Sequence, residues 1–288
     1  MRIRPYNKSE ILETIDKFGV TKNNLNVVTT TFGDKIVASE SVSDKYYVFD
    51  FGKFTREIVE NIENYFTPIS YTILISKGYQ EIRIFGEEVI INGDIYDKMV
   101  SILNSTDKSR TLQMNIGLFR KINQSGIIID VENATVRGKH FFKSLPERLK
   151  MFVLQLQNFN IVIEAQTVEL TKLANLEITF KEIAERYIRF DKRGIVRSGD
   201  VTKLRAFSSN LKNSTSSDRV VNLTSEQRSL LFNSSRYQEY DIDIYLNGFQ
   251  VFNIYTELFK NYDTSVLRRE SKRIMDVIYD KYDKDENE

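Results

Sequence analysis

Near residue 140 the hydrophobic pattern of this chain changes from strand-like to helical, and no motif in it limits the fold as strongly. Before that point short apolar runs are separated by tight turns. After it, apolar residues recur at helical spacing. Strands first and helices later read as α+β, and short turns between strands favour a largely antiparallel sheet. The expected organisation is a strand-rich α+β region over residues 1–140 and a helical region over 141–288 packed on it, or one domain built from both. The stretch 191–219, rich in Ser, Asn, Lys and Arg, is expected to be mobile. Residues 280–288 form an acidic tail with five carboxylates and two lysines.

Within the first half, Ser9 to Phe18 reads as an amphipathic helix stopped by Gly19. A hairpin joins 26–32 to 35–40 across Gly33-Asp34, and 45–50 reads as a third strand. Phe54 to Phe66 has helical spacing. Strands are expected over 69–76, 79–85 and 88–92, a short helix over 94–103, and a half-buried strand over 109–120 with 126–131 beside it. In the second half, Ser144 to Glu147 is a capping box opening a helix to about Lys172, with Leu149, Phe152, Val153, Leu156, Ile163 and Val168 inward. Thr179 to Glu182 is a second box, and Thr224 to Gln227 caps a short helix. Helices over 246–259 and 265–282 follow.

Composition then removes several function classes. The chain has no cysteine, which excludes disulfides, thiolate zinc sites and a Cys nucleophile. His140 is its one histidine, so a Ser-His-Asp relay or a two-His metal site lacks parts. There is no phosphate-binding glycine loop, and no cofactor is implied. The Asp241/Asp243 and Glu87/Glu88 pairs lack a third ligand at fixed spacing, so no metal site is assigned. The first residues carry no secretory pattern and the apolar runs are too short to span a bilayer, so the expectation is a cytoplasmic protein without a membrane partner.

Residues Asn104, Ser105, Asp107 and Ser109, followed by Gly117, Arg120 and Gly126, form a spaced group. A second group, Asn253, Thr256 and Glu257, follows an aromatic stretch. Together they resemble domain-of-unknown-function family nine hundred and thirty-two of phages, prophages and conjugative plasmids. Lys108 stands where the family's turn has Gly, and only Gly126 remains of its Cys-x-Asn-Gly element. The resemblance implies a turn joining a short helix to a strand, and a bacteriophage or other mobile-element protein located in the host cytoplasm or the virion. It implies no activity. Read physically, Asn104, Ser105 and Asp107 are turn formers, and Gly117 inside a strand signals a bulge or a close backbone approach.

Charge distribution carries the functional expectation, since the net charge is only +1. Arg137, Lys139 and Lys143 surround Phe141, and Arg186, Arg189, Lys192, Arg193 and Arg197 crowd near Tyr187. Cations interleaved with rings suit single-stranded nucleic acid, phosphates on the cations and bases on Phe141 and Tyr187. The leading expectation is a non-enzymatic protein that binds or anneals single strands in replication or recombination. The alternatives are a protein-interaction role, as a virion component or an inhibitor of a host defence, and a cryptic metal-dependent hydrolase or nuclease using Asp107 or Asp243. A homo-oligomer is compatible with all three.

Overall fold

The computed structural model describes residues 5–46, 48–76, 79–105, 111–121, 125–138, 145–189, 206, 207, 209 and 244–280. It is an α+β fold: an antiparallel sheet region is followed by a helical region. Expectations on 191–205, on the box at Thr224, on the cap residue Ser144 and on the tail beyond Asp280 lie outside the described residues.

Helix α1, Lys8–Ile15, starts at a reciprocal cap in which Asn7 Oδ1 accepts from Glu10 N and Glu10 Oε2 accepts from Asn7 N. Strands β1 (Phe18–Lys22), β2 (Val27–Phe32) and β3 (Lys35–Ser41) form a three-stranded antiparallel sheet. The hairpin at Gly33 is as expected, with φ +58 at that glycine. The third strand is β1, not residues 45–50. Asp50 instead caps helix α2, Phe51–Asn61, by accepting from Lys53 N at 2.9 Å. An N-cap residue keeps an extended backbone while its side chain binds the first turn, so the segment leads into a helix instead of pairing in a sheet, and α2 starts three residues earlier than its apolar spacing suggested.

The larger sheet has strands β4 (Pro68–Ser76), β5 (Tyr79–Ile91), β6 (Asp94–Ser105), β7 (Leu112–Arg120), β8 (Ser125–Ile127) and β9 (Thr135–Gly138). The order is β4-β5-β6-β7-β8, with β9 also on β7. Strands β8 and β9 share one edge of β7, pairing Leu118–Arg120 and Leu112–Asn115 respectively. β5 crosses Gly86 as one strand through a bulge rather than as two.

The expected helix over 94–103 is strand β6. Asn92 and Gly93 have φ +50 and +83, the left-handed pair of a two-residue hairpin, which returns the chain antiparallel with Ile91 opposite Asp94. Tyr96, Met99, Val100, Ile102 and Leu103 are all buried because a central strand is covered on both faces. Their spacing therefore lacks the period of two and imitates a helix. The turn expected from the family resemblance shares this correction: Asn104 and Ser105 end a strand, not a helix.

The single helix expected to Lys172 is two, α3 (Leu145–Gln157) and α4 (Phe159–Leu173), broken at Asn158. The break gives α4 its own helical phase, which bears on Val168 and not on Val153 in α3. Val153 and Val168, expected inward, are 40% and 45% exposed, while Phe152, Leu156, Phe159 and Val162 are buried. Next come β10 (Glu177–Thr179), α5 (Phe180–Arg189), β11 (Tyr245–Asn247, paired with β10), α6 (Gly248–Glu257) and α7 (Thr264–Ile278). The Thr179 box closes both ways, and the Thr179 backbone N–H, then its hydroxyl, hold the Glu182 carboxyl below its usual range.

One face of the larger sheet carries Ile82, Ile84, Val100, Ile102, Met114 and Ile116, all fully buried. One cluster of buried side chains runs from Ile11 to Ile278 and draws on both regions. Three of its members are tyrosines with raised phenols. Burial, then Glu63, pushes Tyr71 up to about 12, and burial is also the largest cause at Tyr96 and Tyr255. Above about pH 10 the unfolded chain loses phenolic protons that the folded chain keeps, so stability falls as pH rises toward 12. An alkaline titration followed by phenolate absorbance should therefore show two phases. The second should coincide with loss of circular dichroism; full ionisation before unfolding would contradict the burial of these rings.

Candidate functional site

The residues singled out by sequence separate into two groups in space. The first is a buried knot at Asp94, directly after the Asn92-Gly93 turn. Arg120 Nε and Nη2 donate to Asp94 Oδ2 at 3.0 and 2.6 Å, and Asn253 Nδ2 donates to the same oxygen at 3.3 Å. Tyr96 donates its hydroxyl to Asn253 Oδ1 at 3.2 Å. Arg120 and Asn253 thus join the two halves of the family-like pattern through a carboxylate that sequence reading did not single out. Thr256 turns back onto the Phe252 carbonyl, and Glu257 lies 3.9 Å from Lys260. Asn104 is buried against Gln80, and Ser105 is buried beside it. Gly117 makes the expected close approach: a Cβ there would lie 2.4 Å from Ile127 O. Gly126 faces Leu267 of α7. Asp107 and Ser109 lie outside the described residues. Among the described residues of this group, Asn104, Ser105, Gly117, Arg120, Gly126, Asn253 and Thr256 are buried, while Asp94 and Glu257 keep 14% and 35% of their side chains exposed.

The nucleic-acid residues fare differently. Lys139, His140, Phe141, Lys143, Lys192, Arg193 and Arg197 lie outside the described residues, as does the Arg189 side chain. Tyr187 cannot stack on a base. Its ring is 1% exposed, its hydroxyl bonds Tyr255 at 2.8 Å, and Arg273 lies 4.4 Å over its face. The apolar face of α5 carries it inward with Ile183 and Ala184. Arg186 is engaged as a helix cap: Nη1 donates to the Ile278 carbonyl at the end of α7, and Nη2 reaches Glu182.

Arg137 remains, on the exposed side of β9, and it marks the second group. The α7 sequence Arg268-Arg269-Glu-Ser-Lys272-Arg273 supplies the rest. Val266, Leu267, Ile274, Val277 and Ile278 bury one face of α7, and Asp263 caps its start. Arg269 and Lys272 therefore point outward, with side chains 68% and 59% exposed.

Asp130, in the link between β8 and β9, sits among three cations. Arg268 Nη2 lies 2.5 Å from Oδ1 and Lys272 Nζ 3.8 Å from Oδ2. Burial, then the like charge of Arg268, lowers the affinity of Arg137 for its proton, and Asp130 opposes the shift. The buried Nε of Arg268 has no hydrogen-bond partner. Three cations thus surround the one carboxylate of Asp130, while Glu169 and Asp276 carry the negative charge of the adjoining wall.

Beside it opens a cleft of about 480 Å³. Ile129, Val131 and Met275 give it apolar walls, and Asp130, Glu169, Lys272, Asp276 and Tyr279 give it polar ones. Tyr279 donates to Glu169 Oε2 at the long distance of 3.5 Å, and burial, then Glu169, raises its phenol. The basic hexamer on α7 was the available signal for this site, since clustered Lys and Arg mark polyanion patches. Nothing in the sequence showed that Asp130 and Arg137 would join it. Glu87 and Glu88 pair with Lys98 and Lys121, and among the described residues no three carboxylates or imidazoles gather as a metal site would need. Among the described residues, too, no helix is long and apolar enough to cross a membrane.

Compared with protein-family models, with curated proteins and with solved structures, the chain finds no match.

Proposed function

We propose that this protein binds single-stranded nucleic acid along α7 and β9, without catalysing a reaction on it, in the setting of a mobile genetic element. The single observation that carries the reading is the cation excess around Asp130: Arg137, Arg268 and Lys272 face one carboxylate. Arg269 extends the same surface, and Tyr262, 51% exposed just before α7, offers a ring for a base where Tyr187 cannot. Phosphates neutralise such a surface and release counterions, so binding weakens as salt rises. The mobile-element setting rests on the spaced motif residues alone.

A fluorescence-anisotropy titration with a labelled single strand tests this. Binding is expected at about micromolar Kd at low salt, with a steep loss on adding salt. Arg137→Gln and Lys272→Gln should each reduce the salt slope by about 0.7, the value for one phosphate contact on a single strand. A second reading, a protein partner or a homo-oligomer, is favoured by a patch on α3 and α4 where Met151, Val153, Leu154 and Ile161 are 39–67% exposed. If anisotropy stays flat at low salt while light scattering reports a mass above the 33.7 kDa chain, this second reading replaces the first.

A further inference from the structure

The cleft next to the cation cluster has a chemistry that the cations alone do not explain. We infer that it holds one unpaired base carrying an exocyclic amine, cytosine in the first instance, of the strand whose phosphates lie on Arg137, Arg268 and Lys272. This rests on the nucleic-acid reading above and adds a preference among bases to it.

Three observations converge. First, about 480 Å³ is within the range of pockets for small ligands, and the walls of Ile129, Val131 and Met275 suit the flat faces of a base. Second, the polar lining holds three carboxylates, Asp130, Glu169 and Asp276, beside the one cation Lys272. Ionised carboxylates accept hydrogen bonds and cannot donate them. They pair with the amine that cytosine presents at its N4, and they repel the carbonyl that uracil or thymine presents at the same place. Third, an acceptor wall could also attract a lysine or arginine of a protein partner. Lys272 on the cleft wall, with Arg268 and Arg137 around Asp130, gives the cleft a cationic side that such a partner would leave without a counter-ion and that a phosphate fills. A nucleotide satisfies both halves at once: its phosphate is drawn to the cations and its amine to the carboxylates.

Glu169 is the residue to test. It lies on α4, its side chain is 30% exposed, and Oε1 pairs with Lys172 at 2.6 Å while, among the described residues, Oε2 receives the long bond from Tyr279. The experiment compares oligo-dC with oligo-dU of equal length in the same anisotropy assay at neutral pH. The two strands have equal phosphates and equal salt sensitivity, and they differ in an amine against a carbonyl at C4 and in an acceptor nitrogen against an N–H at N3. The wild-type protein should bind oligo-dC about tenfold more tightly, the effect of a hydrogen bond to a charged acceptor. Glu169→Gln, which can donate as well as accept, should bring the ratio below about twofold without weakening oligo-dU. Equal binding of both strands by the wild type, each with the expected salt slope, overturns the inference and leaves the nucleic-acid reading intact. A ratio unchanged in a folded Glu169→Gln protein also overturns it. Failure of both strands to bind at low salt removes the reading itself, and the base preference with it.

Discussion

Glu81→Ala is expected to lower the unfolding free energy by about 3–5 kcal/mol, the cost of leaving a buried charge without its partner. Glu81 and Arg83 stand two residues apart on one face of β5, and both side chains are 0% exposed. Arg83 Nε and Nη2 donate to the two carboxylate oxygens at 3.0 and 3.2 Å, and Nη2 also reaches the Tyr262 carbonyl at 2.8 Å. Nη1 has no partner, nor does the buried hydroxyl of Thr72 directly across the strand pair. The guanidinium is thus already under-satisfied, and removing the carboxylate leaves it with one carbonyl. Urea denaturation reads the effect as a fall in midpoint at unchanged slope. Replacing both residues, Glu81→Leu with Arg83→Met, should recover most of the loss, because two desolvated charges are removed together. A loss below about 1 kcal/mol for Glu81→Ala would mean that water reaches the pair.

Gly117→Val should be nearly as severe, about 3 kcal/mol or failure to fold. A Cβ at this position lies 2.4 Å from the Ile127 carbonyl oxygen and 2.9 Å from Ile128 Cγ1. The first contact is backbone and cannot rotate away. It can be relieved only by parting β7 from the chain leaving β8. Here Gln166 Nε2 also reaches into the sheet, donating to the Ile116 carbonyl at 2.8 Å. Parting the strands would expose that bond and the cations placed by the β8–β9 link. Gly126→Ala is the internal comparison. Its Cβ meets Leu267 Cδ1 at 2.8 Å, the tip of a flexible side chain, so the loss should stay near 1 kcal/mol. Thermal melts of the two variants should differ by several degrees, and equal melts would remove the distinction between a rigid and a yielding neighbour.

The first prediction concerns a polar seam that no sequence pattern announced. Thr72, Arg83, Ser101, Asn115 and Thr135 occupy one register row across β4, β5, β6, β7 and β9. Asn115 donates to Ser101 and to Thr264 of α7, and Thr135 donates to Asn115. Each residue taken singly reads as an ordinary surface residue of a half-exposed strand. Only the pairing of five strands lines them up, and only the packing of α7 over them makes their hydrogen bonding obligatory.

Local chemistry was legible wherever neighbours along the chain decide the outcome. The Gly33 hairpin and the Thr179 box follow from residues a few positions apart, since their hydrogen bonds are local, and the close approach at Gly117 was signalled by a glycine inside a strand. The change from strands to helices was legible for the same reason, because periodicity records which face is covered. Strand β6 was misread where that record fails, in a strand covered on both faces. The fate of Tyr187 and Arg186, and the meeting of Asp130 with Arg137, Arg268 and Lys272, were settled by how α5 and α7 pack. Charges far apart in sequence have no energy of interaction until the fold brings them within a few ångströms. The sequence alone therefore determined the elements whose turns, caps and periods are set by near neighbours, whereas the tertiary structure decided the doubly covered strand and which charges meet.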